Sequence, residues 1–140
     1  ALDVTIQAQV IDMMRELKDE FNTSLLMITH DLGVVADICD RVAIMYAGEI
    51  VEIGTLEDVY DRVSHPYTEG LFDSIPRLDI KVDKLKPIRG LTPDPSNLPT
   101  GCKFHPRCPY ATEQCKMEVP KAVEVEAGHF VACHHVDKIN

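Results

Sequence analysis

The 140-residue sequence predicts an α/β fold that runs into a cysteine- and proline-rich extension with little regular structure. Three observations carry this. Apolar residues recur at helical spacing through the first 21 positions, and a continuous apolar run follows. From about residue 76, prolines, glycines and cysteines replace periodic patterning.

Asp3 can cap a helix by accepting a free backbone N–H of the first turn. Ile6, Val10, Met13, Leu17 and Phe21 then form one apolar stripe, and Asn22-Thr23 ends it. In "SLLMITH" (24–30), Leu25 to Ile28 are continuously apolar, as expected of a strand covered on both faces. "DLGVVADICD" (31–40) reads as a short helix with Leu32, Val35 and Ile38 or Cys39 inward. "RVAIMY" and "EIVEIG" predict a hairpin turning at Ala47-Gly48. Thr55 caps "LEDVYDRV", with Asp58 where a capping box needs its acid. "HPYTEGLFDSI" (65–75) starts a further helix, with Pro66 in its first turn. On this reading His65, Pro66 and Tyr67 start a helix and do no chemistry. "PIRGLTPDPSNLPTG" (87–101) is an extended connector.

Charge divides the chain. Residues 1–75 hold 15 acids and 4 bases, whereas residues 76–140 hold 8 acids and 10 bases. The acidic first part argues against nucleic-acid binding. The tail shows no dense basic stripe and no run of aromatics for stacking on bases. No run approaches the ~18 apolar residues of a membrane span.

Two groups of residues could carry chemistry. Thr29-His30-Asp31 sits where the expected strand ends, and open α/β sheets bind ligands at the carboxyl ends of their strands. His30 there can donate to a phosphate oxygen or an attacking water; the plainer alternative is a histidine in a capping loop. The second group is Cys102, Cys108, Cys115 and Cys133, spaced C-x5-C-x6-C-x17-C. Disulfides, zinc and an iron–sulfur cluster are all open from the spacing. Zinc ligands usually come in C-x2–4-C pairs, which are absent here, although His105, His129, His134 or His135 could replace a thiolate. Cys39 lies on a helix near its apolar face and reads as a small hydrophobe.

In order and spacing, Ala1-Leu2-Asp3, the first helix, "LLMITHDLGVVADICDRVAIMYAGEIVEIG" and the Thr-capped helix resemble the ATP-binding subunits of ABC transporters from the D-loop onward. "HPYTEGLF" and "IRGLTPDPSNLPTGCKFHPRCPYATEQC" resemble the C-terminal extension of the oligopeptide/dipeptide-type importers among them. The second match runs through Gly90, Pro93, Leu98, Pro99, Gly101, Cys102, Phe104, Pro106, Arg107 and Cys108.

The resemblance implies a division into the end of an ATPase core (1–62) and the extension (63–140). It implies that His30 contacts the γ-phosphate and orients water, and that Asp3 reaches across a dimer of nucleotide-binding subunits. ATP and Mg would be cofactors of a longer parent at the cytoplasmic face of the membrane. Its partners would be a second nucleotide-binding subunit, alike or different, membrane permease subunits and, indirectly, a solute-binding protein. The 140 residues contain no G-x-x-x-x-G-K-[ST] phosphate loop and no Leu-Ser-Gly-Gly-Gln-like signature. The chain is therefore expected to be a piece beginning after the Walker B acids and to be inactive alone. A cytoplasmic setting disfavours disulfides. For the cysteines the resemblance puts a structural 4Fe-4S cluster first, four-thiolate zinc second and free thiols third. The rival reading is a free-standing metal-binding structural or interaction module.

Overall fold

The computed structural model describes residues 4–75 and 87–136, with side chains from Ile6 onward. Asp3 and residues 76–86 lie outside them. The chain divides into two compact units, Ala1–Asp40 and Arg41–Asn140.

In the first unit, α1 spans Val4–Glu20 and α2 spans Leu32–Ile38. Asn22, at φ 44°, turns the chain out of α1, and Thr23 N–H reaches back to Lys18 C=O at 3.2 Å. This is the left-handed exit that closes many helices. Asp31 caps α2, accepting Gly33 N–H at 2.9 Å and Val34 N–H at 3.2 Å. The bond from Val34 is the chief reason that its carboxyl titrates below the usual range.

Two expectations fail in this unit. The Leu25–Ile28 run forms no strand, and Leu26 and Ile28 are 89% and 94% exposed. A strand covered on both faces needs neighbours to pair with, and no described strand pairs with this one. The stripe of α1 is not its buried face either: Ile6, Met13, Leu17 and Phe21 are exposed, and Ile11 is buried instead. Ion pairs run along the side turned to α2 and the residues after it, Arg15 to Asp37 at 3.0 Å and Lys18 to Asp40 at 2.8 Å.

The second unit is built on an antiparallel sheet. Strands β1 (Arg41–Tyr46) and β2 (Glu49–Thr55) form the expected hairpin. Ala47 (φ 49°) and Gly48 (φ 83°) are both left-handed, as a two-residue turn with the right twist requires. Helix α3 (Leu56–Asp61) begins with a complete capping box: Asp58 N–H donates to Thr55 Oγ1 at 3.1 Å, and Thr55 N–H to Asp58 Oδ2 at 2.9 Å. Helix α4 (Pro66–Asp73) has Pro66 in its first turn.

Residues 87–101 have no regular structure, as expected. The end of the tail does. Helix α5 spans Glu113–Met117, β3 Val123–Glu126 and β4 His129–Val131. The sheet order is β1-β2-β4-β3, so β4 pairs directly with the hairpin. Val123 to Val131 alternates too briefly, around Ala127-Gly128, to stand out in sequence. Pairing with the open edge of β2 makes it a strand.

The core joins hairpin, α4 and tail. Val59 and Val131 are fully buried, and Phe104 nearly so. Phe104 stands edge-on to Tyr46 with ring centroids 5.2 Å apart and to Tyr67 at 5.4 Å. Tyr46 and Tyr67 meet at 4.6 Å. Such pairs add ~1 kcal/mol beyond their buried area.

Candidate functional site

Three of the four cysteines are set by one loop. Cys102 N–H donates to Cys115 C=O at 2.8 Å and closes it. Gly101 makes this approach possible: at φ +61°, a Cβ there would lie 2.4 Å from the Cys115 oxygen. His105 N–H to Cys102 C=O (3.1 Å) and Cys108 N–H to His105 C=O (3.4 Å) wind the loop between them. Phe104, buried among the tyrosines, anchors it. The fourth cysteine arrives from elsewhere, two residues past the end of β4.

All four thiols line one cavity, with His65, Phe104, His105, Tyr110, His134 and His135. Two of the sulfurs have hydrogen-bond partners. Cys133 Sγ accepts His135 N–H at 3.3 Å, and Thr112 Oγ1 lies 3.4 Å from Cys115 Sγ. Burial raises the thiol pKa of Cys102 and Cys133 and pushes Cys108 up to about 11. Mutual repulsion adds to this: Cys102 feels Cys115, Cys108 feels Cys133, Cys102 and Cys115, and Cys133 feels Cys102 and Cys115. At neutral pH the three are therefore held as neutral thiols, and deprotonating them requires a nearby positive charge.

The histidines weighed as replacement ligands are engaged. His105 Nδ1 meets Cys102 C=O at 2.9 Å, His134 Nε2 meets Glu118 C=O at 3.1 Å, and His135 Nε2 meets Thr112 Oγ1 at 2.9 Å. His129 is buried against Glu52 Oε1 at 2.9 Å and does not line the cavity. Among the described residues, no group of three or more His, Cys, Asp or Glu is arranged to hold a metal ion. Neither expected group, the 4Fe-4S cluster or four-thiolate zinc, draws support from this arrangement. Cys39, in the first unit, is half-buried, with burial raising its pKa.

His30 is exposed in the first unit, directly after the unpaired Leu25–Ile28 run. Asp3 lies outside the described residues, so its cap and its role at a dimer have no geometry here.

Two buried polar residues stand close to the cavity: His65, which the sequence reads as a helix start, and Glu52, which it does not single out. His65 is buried, lines the cysteine cavity, and caps α4 by accepting Tyr67 N–H on Nδ1 at 3.0 Å. Burial lowers its pKa to about 4, against the opposing pull of the Ala132 carbonyl, so the ring is neutral. Glu52, with 0% exposure, accepts Ser64 N–H at 2.8 Å, His65 N–H at 3.1 Å and His129. A glutamate in a strand ordinarily faces water. Only the order His-Pro-Tyr, set apart in the sequence, pointed towards this place.

Residues 51–115 match the family model described as the oligopeptide/dipeptide transporter, C-terminal region. The chain is 52% identical over 133 residues to the oligopeptide transport ATP-binding protein AppD of Bacillus subtilis, covering 95% of this chain and 40% of that protein. Identity to OppD of Haemophilus influenzae is 52% over 133 residues, covering 95% of this chain and 41% of OppD. With AppF of Bacillus subtilis it is 47% over 138 residues, covering 96% and 42%. The chain thus spans about two fifths of the length of the curated relatives it matches. The C-terminal region's match takes in Glu52, His65 and the loop that holds Cys102, Cys108 and Cys115, while Cys133 lies beyond it. No described helix is long and apolar enough to cross a membrane.

Proposed function

We propose that this chain supplies the end of the ATPase core and the C-terminal extension of an ATP-binding subunit that powers import of oligopeptides or dipeptides. The observation that carries the proposal is the match of residues 51–115 to the transporter C-terminal region, within relatives named as oligopeptide transport ATP-binding proteins. Those relatives lend no support to a free-standing metal-binding module.

In this reading, residues 1–62 belong to the core and 63–140 to the extension. His30 senses the γ-phosphate and orients water, and Asp3 couples two nucleotide sites across a dimer with a like or sister subunit. The subunit lies peripherally on the cytoplasmic face of the membrane against permease subunits, which receive peptide from a solute-binding protein. The exposure of Leu26, Ile28 and the α1 stripe supports a core that is larger than the described elements. Phosphoryl transfer depends on positioning and charge stabilisation, and the phosphate loop that would cradle ATP with Mg is not in this sequence. The 140 residues alone should show no ATP hydrolysis above a buffer blank, and turnover would overturn this assignment.

We further propose that Cys102, Cys108, Cys115 and Cys133 hold a 4Fe-4S cluster. The donor set fits: four thiols line one cavity, and the sulfurs of Cys115 and Cys133 have hydrogen-bond partners. Bound there, a cluster supplies positive charge for the buried thiolates and a four-way tie. The chain's own residues order the loop, exclude water with Phe104 and Tyr110, and donate to the sulfurs. The test is an absorption spectrum of anaerobically purified protein with iron, zinc and acid-labile sulfide assays. About four irons and four sulfides per chain are expected. One zinc, or no metal, would reject the cluster.

A further inference from the structure

Tyr46 and Tyr67, the tyrosines packed on Phe104, also line a second cavity of about 430 Å³. Small-molecule sites span about 300–1,000 Å³ and are mostly apolar, with a few placed polar groups. The hairpin contributes its Ala47-Gly48 turn and the connector contributes Pro93 and Leu98. The connector has no regular structure, yet it is locally fixed there. Asp94 Oδ1 accepts the Ser96 N–H at 2.8 Å and the Ser96 hydroxyl at 2.7 Å, and Asn97 N–H donates to Asp94 C=O at 3.0 Å.

Arg107 brings the charge of this cavity. Its Nε–H donates to Arg89 C=O at 2.9 Å, Nη2 to Ile88 C=O at 3.4 Å and Nη1 to the Tyr46 hydroxyl at 3.4 Å. All three acceptors are neutral, and a guanidinium has further N–H groups to give. Among the described residues no carboxylate pairs with Arg107. None of the described lining residues is acidic, in a chain with 23 acids and 14 bases. The guanidinium is thus held by connector backbone with its charge left uncompensated. The Tyr46 hydroxyl, an acceptor for Arg107, keeps its own hydrogen to donate.

We propose that this cavity binds a small apolar acid: one carboxylate on Arg107 and the Tyr46 hydroxyl, with an aliphatic or aromatic body against Tyr67, Pro93 and Leu98. The planar guanidinium fork matches a carboxylate. A single cation suits a monoanion, and no second Lys or Arg lines the cavity among the described residues to balance a phosphate. The site is separate from the thiol cavity, so the proposal stands whether or not the four cysteines hold a cluster. It gives Arg107, one of the residues that carry the sequence resemblance, a task of its own.

The probes are N-acetyl-L-leucine and N-acetyl-L-leucinamide, close in shape and different in charge. Each is titrated into the isotope-labelled chain and followed by NMR. The acid should shift the amides of Tyr46, Gly48, Thr92 and Leu98, with a Kd of about 1 mM, the scale for a ligand of about a dozen heavy atoms. It should bind about tenfold more tightly than the amide, because its bonds to Arg107 join two charges. In Arg107→Gln the acid-over-amide ratio should fall to about one. Acid and amide bound alike by the wild type, shifts centred on other residues, or no shifts by about 10 mM acid would each overturn the proposal. So would a folded Arg107→Gln that keeps the wild-type ratio. If that variant loses the dispersed spectrum of a folded chain, Arg107→Lys takes its place. Lysine keeps the charge without the fork, so the ratio should drop about threefold, and an unchanged ratio would again overturn the proposal.

Discussion

In the first unit the charges that join α1 to α2 lie at the surface: Arg15 and Asp37 keep 40% and 58% of their side chains exposed. In the second, the Glu52 carboxylate that joins hairpin, α4 and β4 is out of water entirely. The chemistry is similar and the consequences differ. An exposed pair exchanges water for a partner at little net gain. A buried carboxylate has no water to return to, so each donor orphaned by its removal carries a full desolvation cost. The second unit is therefore fragile at single residues, and the first is not.

The comparison can be broken by mutation, and the largest effect should come from Glu52→Ala. It orphans two backbone N–H groups and His129, and should cost on the order of 3–5 kcal/mol. Urea unfolding with segment-resolved hydrogen exchange reads it, and protection should fall throughout residues 41–75 and 123–131. A loss under 1 kcal/mol would mean that the network is incidental. Next is Gly101→Ala. The positive φ and a Cβ 2.4 Å from backbone oxygen force the loop apart at Cys102 and Cys115. A loss of roughly 2–3 kcal/mol is expected, with faster exchange confined to 99–118.

A pH titration sharpens the contrast. Asp58 has its pKa lowered, first by the Thr55 hydroxyl and then by the Thr55 backbone and Arg62. A carboxyl with a lowered folded pKa stabilises the fold above its unfolded value, 3.8, and loses that stabilisation as pH falls through the folded value. Acid unfolding of α3 should therefore steepen below pH 3.8, and Asp58→Asn should flatten it. A slope unchanged in that variant would remove Asp58 from the account. The smallest effect is Arg15→Ala, under ~1 kcal/mol and further reduced by salt. Exchange rates in α1 and α2 across a salt series check it.

Local signals in the sequence were sufficient where the interaction is local. The Thr55–Asp58 box, the Ala47-Gly48 turn, Pro66 at the start of α4 and the unstructured 87–101 connector each depend on residues within a few positions. They formed as expected. The reading failed where a partner was needed. Leu25–Ile28 has strand composition, yet composition does not supply a neighbouring strand. The α1 stripe has helical periodicity, yet periodicity does not supply an element to cover it, and Ile6, Met13, Leu17 and Phe21 stay exposed. Val123–Val131 is too short to announce a hairpin, and the open edge of β2 made it one.

For the candidate site, the sequence by itself determined the four cysteines and the loop residues that surround three of them. Thiol identity and the need for Gly, Pro and Phe near them are written at fixed offsets. Only the tertiary structure decided that Cys133 meets Cys102, Cys108 and Cys115, that His129 serves Glu52 and not the cavity, and that His65 faces the thiols. Those outcomes depend on which segments pair across 50 to 80 residues, as with Glu52 and His129, 77 positions apart. Burial then does what sequence cannot specify: it removes water, and each polar group must take the partner that the fold brings to it.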